Sequence, residues 1–113
     1  MNQTFCECLH EPMPYDRYTP IKYLGTDPSN GRFGEVHIVR CNLCGRYWLR
    51  YSVEYEGFTA SGRYFMGLIA PDVADALRPD QAIEFLGSLD WHLYGGSYFG
   101  RKGKSSGSIN ADN

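Results

Sequence analysis

Residues 46–56 read RYWLRYSVEYE, and the way they alternate decides the fold class. Tyr47, Leu49, Tyr51, Val53 and Tyr55 fall on one side of an extended chain. Arg46, Trp48, Arg50, Ser52 and Glu54 fall on the other. Successive side chains of a strand point to opposite faces, so a period of two predicts a strand with one face on a core. Trp48 is the single large apolar residue on the polar side. Two roles compete for it: a core plug covered by the Pro-rich segment 11–31 or by the chain after Gly95, or a partner anchor flanked by Arg46 and Arg50.

Upstream, RFGEVHIVR (32–40) is a second short strand in which Val36 and Ile38 share a face. Downstream, GFTASG (57–62) is a turn, and RYFMGLIA (63–70) is a third strand with Tyr64, Met66 and Leu68 on one side. Sequential strands joined by short turns predict an antiparallel meander. A short helical turn capped by Asp72 follows, with Val73 and Leu77 four residues apart. Residues 79–89 then begin with Pro79 at the favoured first helical position, and Ala82, Ile83, Leu86 and Leu89 form an apolar stripe. WHLY (91–94) is one more candidate strand. The expected fold is therefore α+β: an antiparallel β-meander with one or two helices packed on one face.

Two stretches lie outside that pattern. Residues 11–31 carry Pro12, Pro14, Pro20 and Pro28, a density that argues for irregular chain rather than a central strand. Residues 101–113 are rich in Gly, Ser, Lys, Asn and Asp, the composition of a flexible tail after a single domain of residues 1–100. Gly103-Lys104-Ser105 matches half of a phosphate-binding loop, but Tyr98 stands where the first glycine is needed. No helical pattern follows either, so the nucleotide reading fails.

The totals narrow the class. The 113 residues suit one domain, with 42% hydrophobic and 21% charged residues and a net charge of −2. A duplex-binding domain usually shows a basic excess, which is missing here. No apolar run approaches the length of about 18 residues that a membrane span needs. MNQTFCECLHEPMP has neither the basic nor the apolar region of a secretory signal, so a cytoplasmic location with reduced thiols is expected.

All four cysteines fall in two tight pairs, Cys6-Glu7-Cys8 and Cys41-Asn42-Leu43-Cys44, the second followed by Gly45 and set between two strand signals. A C-x-x-C-G loop at a hairpin tip puts two thiolates on one side, and a second pair beside it completes four tetrahedral ligands. The arrangement resembles the knuckle pair of zinc ribbons and rubredoxin-like sites over residues 5–9 and 40–46. The resemblance implies a closed four-cysteine centre in which Cys6, Cys8, Cys41 and Cys44 hold a structural Zn2+. The upstream C-x-C is tighter than the usual C-x-x-C, which leaves His10 as an alternative to Cys6 or Cys8. A redox-active or disulfide pair is the competing reading.

Catalytic patterns are absent from the sequence. His10, His37 and His92 lie in no H-E-x-x-H, and no serine lies in a G-x-S-x-G. Glu35 with His37, Glu54 with Glu56, and Asp90-Trp91-His92 are the groupings left for a small enzyme without a recognisable motif. Tyrosine is unusually frequent, with nine residues, and aromatic side chains favour contact surfaces. The reading preferred on these grounds is a protein-binding module using Arg46, Trp48 and Arg50, whose partner has a basic surface. Small acidic bacterial proteins of the immunity or inhibitor type have this general build. The alternative is a zinc-ribbon nucleic-acid binder in which Trp48 stacks on bases between the two arginines.

Overall fold

In the computed structural model the described residues are 6–9, 15–28, 34–53, 62–96, 103–107 and 109. His10, Glu54, Glu56, Tyr98 and residues 57–61 lie outside them. Six strands follow in chain order: β1 (Tyr18–Thr26), β2 (Glu35–Cys41), β3 (Tyr47–Val53), β4 (Arg63–Leu68), β5 (His92–Gly95) and β6 (Gly103–Ser105). They form one sheet in the order β1-β2-β3-β4-β5-β6, every pair antiparallel. Between β4 and β5 lie α1 (Pro71–Ala76) and α2 (Ala82–Ser88), of six and seven residues. The meander is as expected, but the α+β class is not. The chain is a mostly-β fold with small helical parts.

The correction comes from both ends of the sheet. β1 runs through the proline-bearing stretch expected to be irregular. Pro20 is accommodated because β1 is a terminal strand, where a missing N–H costs least. Register shifts between Pro20 and Lys22 and between Tyr23 and Gly25 bend it further, and Gly25 takes the second bend with φ +126°. At the other end β6 lies within the stretch read as a tail. Its Gly103, Lys104 and Ser105 pair with Tyr94, Leu93 and His92 of β5. The Gly-Lys-Ser triplet is a strand edge, not a phosphate loop.

Strand register assigns the faces. Ile38 pairs with Leu49 and Val36 with Tyr51, while Leu49 meets Gly67 and Tyr51 meets Phe65 across β4. These side chains make the main core with Ala74, Ala82 and Leu86 of the helical section, and Ile83 and Leu89 pack against it. The stripe read over 79–89 thus covers this face, although its first turn, Pro79–Gln81, is 3-10 rather than α. Gly67 lets it come close: a Cβ there would lie 2.5 Å from Leu89 Cδ1 and 2.6 Å from Leu86 Cδ2. In α1 the buried residue is Ala74, and Val73 faces outwards. Asp72 sits inside the helix rather than capping it, since the N-cap is Ala70.

A buried polar contact ties this core to the end of β1. The Tyr51 hydroxyl donates to Asp27 Oδ2 at 2.6 Å, and Asp27 is only 2% exposed. The Asp27 N–H in turn donates to the Gly34 carbonyl at 2.7 Å. A Cβ on Gly34 would collide with the Tyr51 ring, so only glycine fits beside it. Tyr51→Phe removes a donor from a buried carboxylate and is expected to lower stability by about 1.5–3 kcal/mol, measured by urea unfolding. A change below a few tenths would show that Asp27 is satisfied without Tyr51.

The opposite face of the sheet is not simply polar. Val39 pairs with Trp48, and Trp48 with Leu68, while Met66 pairs with Leu93. These residues form a second core, and the cysteines are part of it. No helix among the described residues is long and apolar enough to cross a membrane.

Candidate metal centre

The tip of the β2–β3 hairpin is built by local backbone bonds. Cys41 ends β2, and its N–H donates to the Arg46 carbonyl at 2.9 Å. The Gly45 N–H donates back to the Cys41 carbonyl at 2.8 Å. Gly45 has φ +79°, a left-handed conformation that other residues rarely adopt, and this turns the chain back into β3. Inside the turn, the backbone N–H groups of Cys44 and Leu43 bond to the Cys41 sulfur, and that of Arg46 bonds to the Cys44 sulfur. The loop therefore presents two sulfurs already ringed by N–H donors.

Asn42 anchors the tip to the start of β1. Its N–H donates to the Arg17 carbonyl at 2.9 Å, and its side-chain amide donates to the Asp16 carbonyl at 3.3 Å. The Thr19 hydroxyl donates to Asn42 Oδ1 at 2.6 Å. The second cysteine pair arrives on a 3-10 turn, Glu7–Leu9, closed by the Leu9 N–H on the Cys6 carbonyl at 3.0 Å. Tyr18, Val39, Trp48, Met66 and Leu93 bury the sulfurs from the sheet side.

Four sulfurs meet there. Cys6 Sγ lies 3.8 Å from Cys41 Sγ, Cys8 Sγ lies 3.6 Å from Cys44 Sγ, and all four are within 4.8 Å of one another. A disulfide needs sulfurs about 2.05 Å apart, so these are free thiols. A tetrahedron with metal–sulfur bonds of about 2.3 Å has edges of about 3.8 Å. The residues present therefore fit a tetrahedral metal ion. The tight C-x-C poses no obstacle, because the 3-10 turn aims Cys6 at Cys41 and Cys8 at Cys44. An all-sulfur tetrahedron suits zinc or iron.

Cys8 and Cys41 resist ionising unaided. Burial pushes the Cys8 thiol far up, and its hydrogen bond with Cys6 adds to the effect. Burial also raises Cys41, against the pull of the Cys44 and Leu43 N–H groups. Cys44 is the exception: burial acts to raise it, but the backbone N–H and guanidinium of Arg46 outweigh this and bring it to about 7. Holding four thiolates together requires a cation, and binding one must release protons.

The residues read as a partner contact are placed differently. Trp48 is 0% exposed, at the floor of the second core, so it is no outward anchor. The cover is the 6–9 segment together with Trp91, whose ring centroid is 6.0 Å from that of Trp48 at 55°. Lys104 of β6 lies over Trp91 in turn, 4.1 Å from its centroid. Arg46 bonds to Cys44, and the half-buried Arg50 pairs with His37 and Met66. The three do not make an exposed ridge. Arg46 as a neighbour of the metal site is the role that sequence reasoning missed, and its position directly after C-x-x-C-G was the available signal.

Of the catalytic groupings, Glu54 with Glu56 lies outside the described residues, and the other two centre on His37 and His92. The His37 ring is tilted 37° to that of Tyr23 with centroids 4.8 Å apart, and burial followed by the Arg50 charge lowers its pKa, with Glu35 opposing. His92 is buried edge-on to Phe65 at 6.3 Å, and burial lowers its pKa as well. Comparison with protein-family models, curated proteins and solved structures gives no match to this chain.

Proposed function

We propose that this chain is a small zinc-stabilised protein-binding module, in which Cys6, Cys8, Cys41 and Cys44 hold one structural Zn2+. The cluster of four sulfurs within 4.8 Å carries this reading. Zinc would fill a closed sphere of four protein ligands, leaving no position for a reacting water. Its work is to fasten the 6–9 segment over Trp48 and so complete the second core.

The partner-binding half of the reading rests on surface composition. Ile21 and Tyr23 on β1, Leu43 at the hairpin tip and Val73 on α1 are the exposed large apolar residues among those described. Residues 70–90 contain Asp72, Asp75, Asp80, Glu84 and Asp90 against Arg78 alone, which suits a partner with a basic surface. An inhibitor- or immunity-type role belongs to the same class. Nucleic-acid binding is the weaker reading, because the tryptophan needed as a stacking platform is buried.

Purified without chelator, the protein is expected to carry about one zinc per chain by elemental analysis. Iron in that position would give a coloured protein and replace the zinc assignment. Mixed oligonucleotides at low salt are expected not to bind. Tight binding that weakens steeply with salt would restore the nucleic-acid reading.

A further inference from the structure

Cys44 differs from the other three cysteines in two respects. It alone among them is not buried. It is also the sulfur that meets a cation: the Arg46 guanidinium and the Arg46 backbone N–H both bond to it. The Arg46 main chain cannot drift away, because its carbonyl accepts the Cys41 N–H at 2.9 Å. The side chain therefore starts from a fixed point beside the most accessible corner of the site.

A divalent ion with four thiolates carries a net charge of 2−. Enclosed among Tyr18, Trp48, Met66 and Leu93, that charge is poorly solvated and calls for compensation nearby. A guanidinium donating to sulfur supplies a charge-assisted bond and offsets part of the charge that the cluster carries. We propose that Arg46 is a positioning residue of the metal centre, holding the Cys44 sulfur in place and setting how fast the metal leaves through that corner. The proposal rests on the metal-binding reading above. It replaces the sequence-based role of Arg46 as a partner contact.

The test compares the full-length parent with Arg46→Met, Arg46→Lys and Arg40→Met, each loaded with zinc or with Co2+. Arg40 is an exposed residue of β2 and serves as the control. A chromogenic chelator should strip zinc from Arg46→Met about ten- to a hundredfold faster than from the parent, the usual effect of losing such a partner. Arg46→Lys should recover part of the retention, and Arg40→Met should match the parent. In the cobalt form, Arg46→Met should move the sulfur-to-metal charge-transfer band to lower energy, which a purely structural loss elsewhere would not do. If Arg46→Met does not fold, Arg46→Lys carries the test, with release about two- to tenfold faster than from the parent. Unchanged release and an unchanged band in loaded variants would overturn the proposal while leaving the metal site standing. A parent that takes up neither ion would overturn both.

Discussion

Cys41→Ser is expected to lower stability by several kcal/mol and to release residues 6–9 from the sheet. Structural zinc supplies about 10–16 kcal/mol of apparent binding energy at neutral pH, and in a site formed only on folding this is coupled to folding. Domains are held by a net of about 5–15 kcal/mol, so losing even part of that contribution is severe. Cys41 is the ligand to choose. It is fully buried, ends β2 and accepts two backbone N–H groups that serine would hold less well. Strong chelation of the parent should mimic the variant, with loss of the thermal transition or a large fall in its midpoint. Identical melting of metal-loaded and chelated protein would defeat the structural role. Metal binding at four thiols would displace their protons, so retention should weaken as the pH falls.

Trp48→Ala is expected to cost about 3–5 kcal/mol, as for other large buried aromatics. The ring is fully buried and faces Trp91, Met66, Val39 and the cysteines, so its removal leaves a cavity that the sheet cannot collapse into. Denaturant unfolding of the metal-loaded variant measures the loss. An effect below about 1 kcal/mol would mean that the face is open and would return Trp48 to the surface. The Trp48 Nε1 atom has no hydrogen-bond partner among the described residues. Trp48→Phe therefore forfeits no bond there and should be the milder change.

Much of this was legible in residues 46–56, because Leu49, Tyr51 and Val53 alternate with Arg50 and Ser52 and so write the strand period directly into the sequence. The hairpin tip was legible as well, since C-x-x-C-G combines ligands and a left-handed glycine in five adjacent positions. What escaped was the pairing at both ends. β1 contains Pro20 and two register shifts, so its alternation is broken where the strand is bent, and its place at the end of the sheet could not be read from composition. β6 consists of Gly, Lys and Ser, residues with little strand propensity, and is defined by its ladder with β5. The apolar stripe of 79–89 pointed to one continuous α-helix, whereas its first turn is 3-10 and the α-helix begins at Ala82. A six-residue helix and a seven-residue helix are what the connection between β4 and β5 contains. Trp48 was visible as an anomaly, but Cys8 in the segment that covers it lies 40 residues away in the sequence and shares no local pattern with it.

The strict neighbour-to-neighbour order of the sheet also bears on how the chain comes together in time. Every strand pairs with the one before it, so each pairing closes only a modest loop, and structure can accumulate in the order of synthesis. The metal centre breaks this rule, because Cys6 and Cys41 are 35 residues apart and Cys8 and Cys44 are 36 apart. The first pair of thiols leaves the ribosome early and has nothing to join until the β2–β3 turn emerges. That turn, once formed, is already half a coordination site. If the site takes a metal, the early thiols wait for it until the hairpin appears, and closing the four-sulfur cluster is the step that ends the wait.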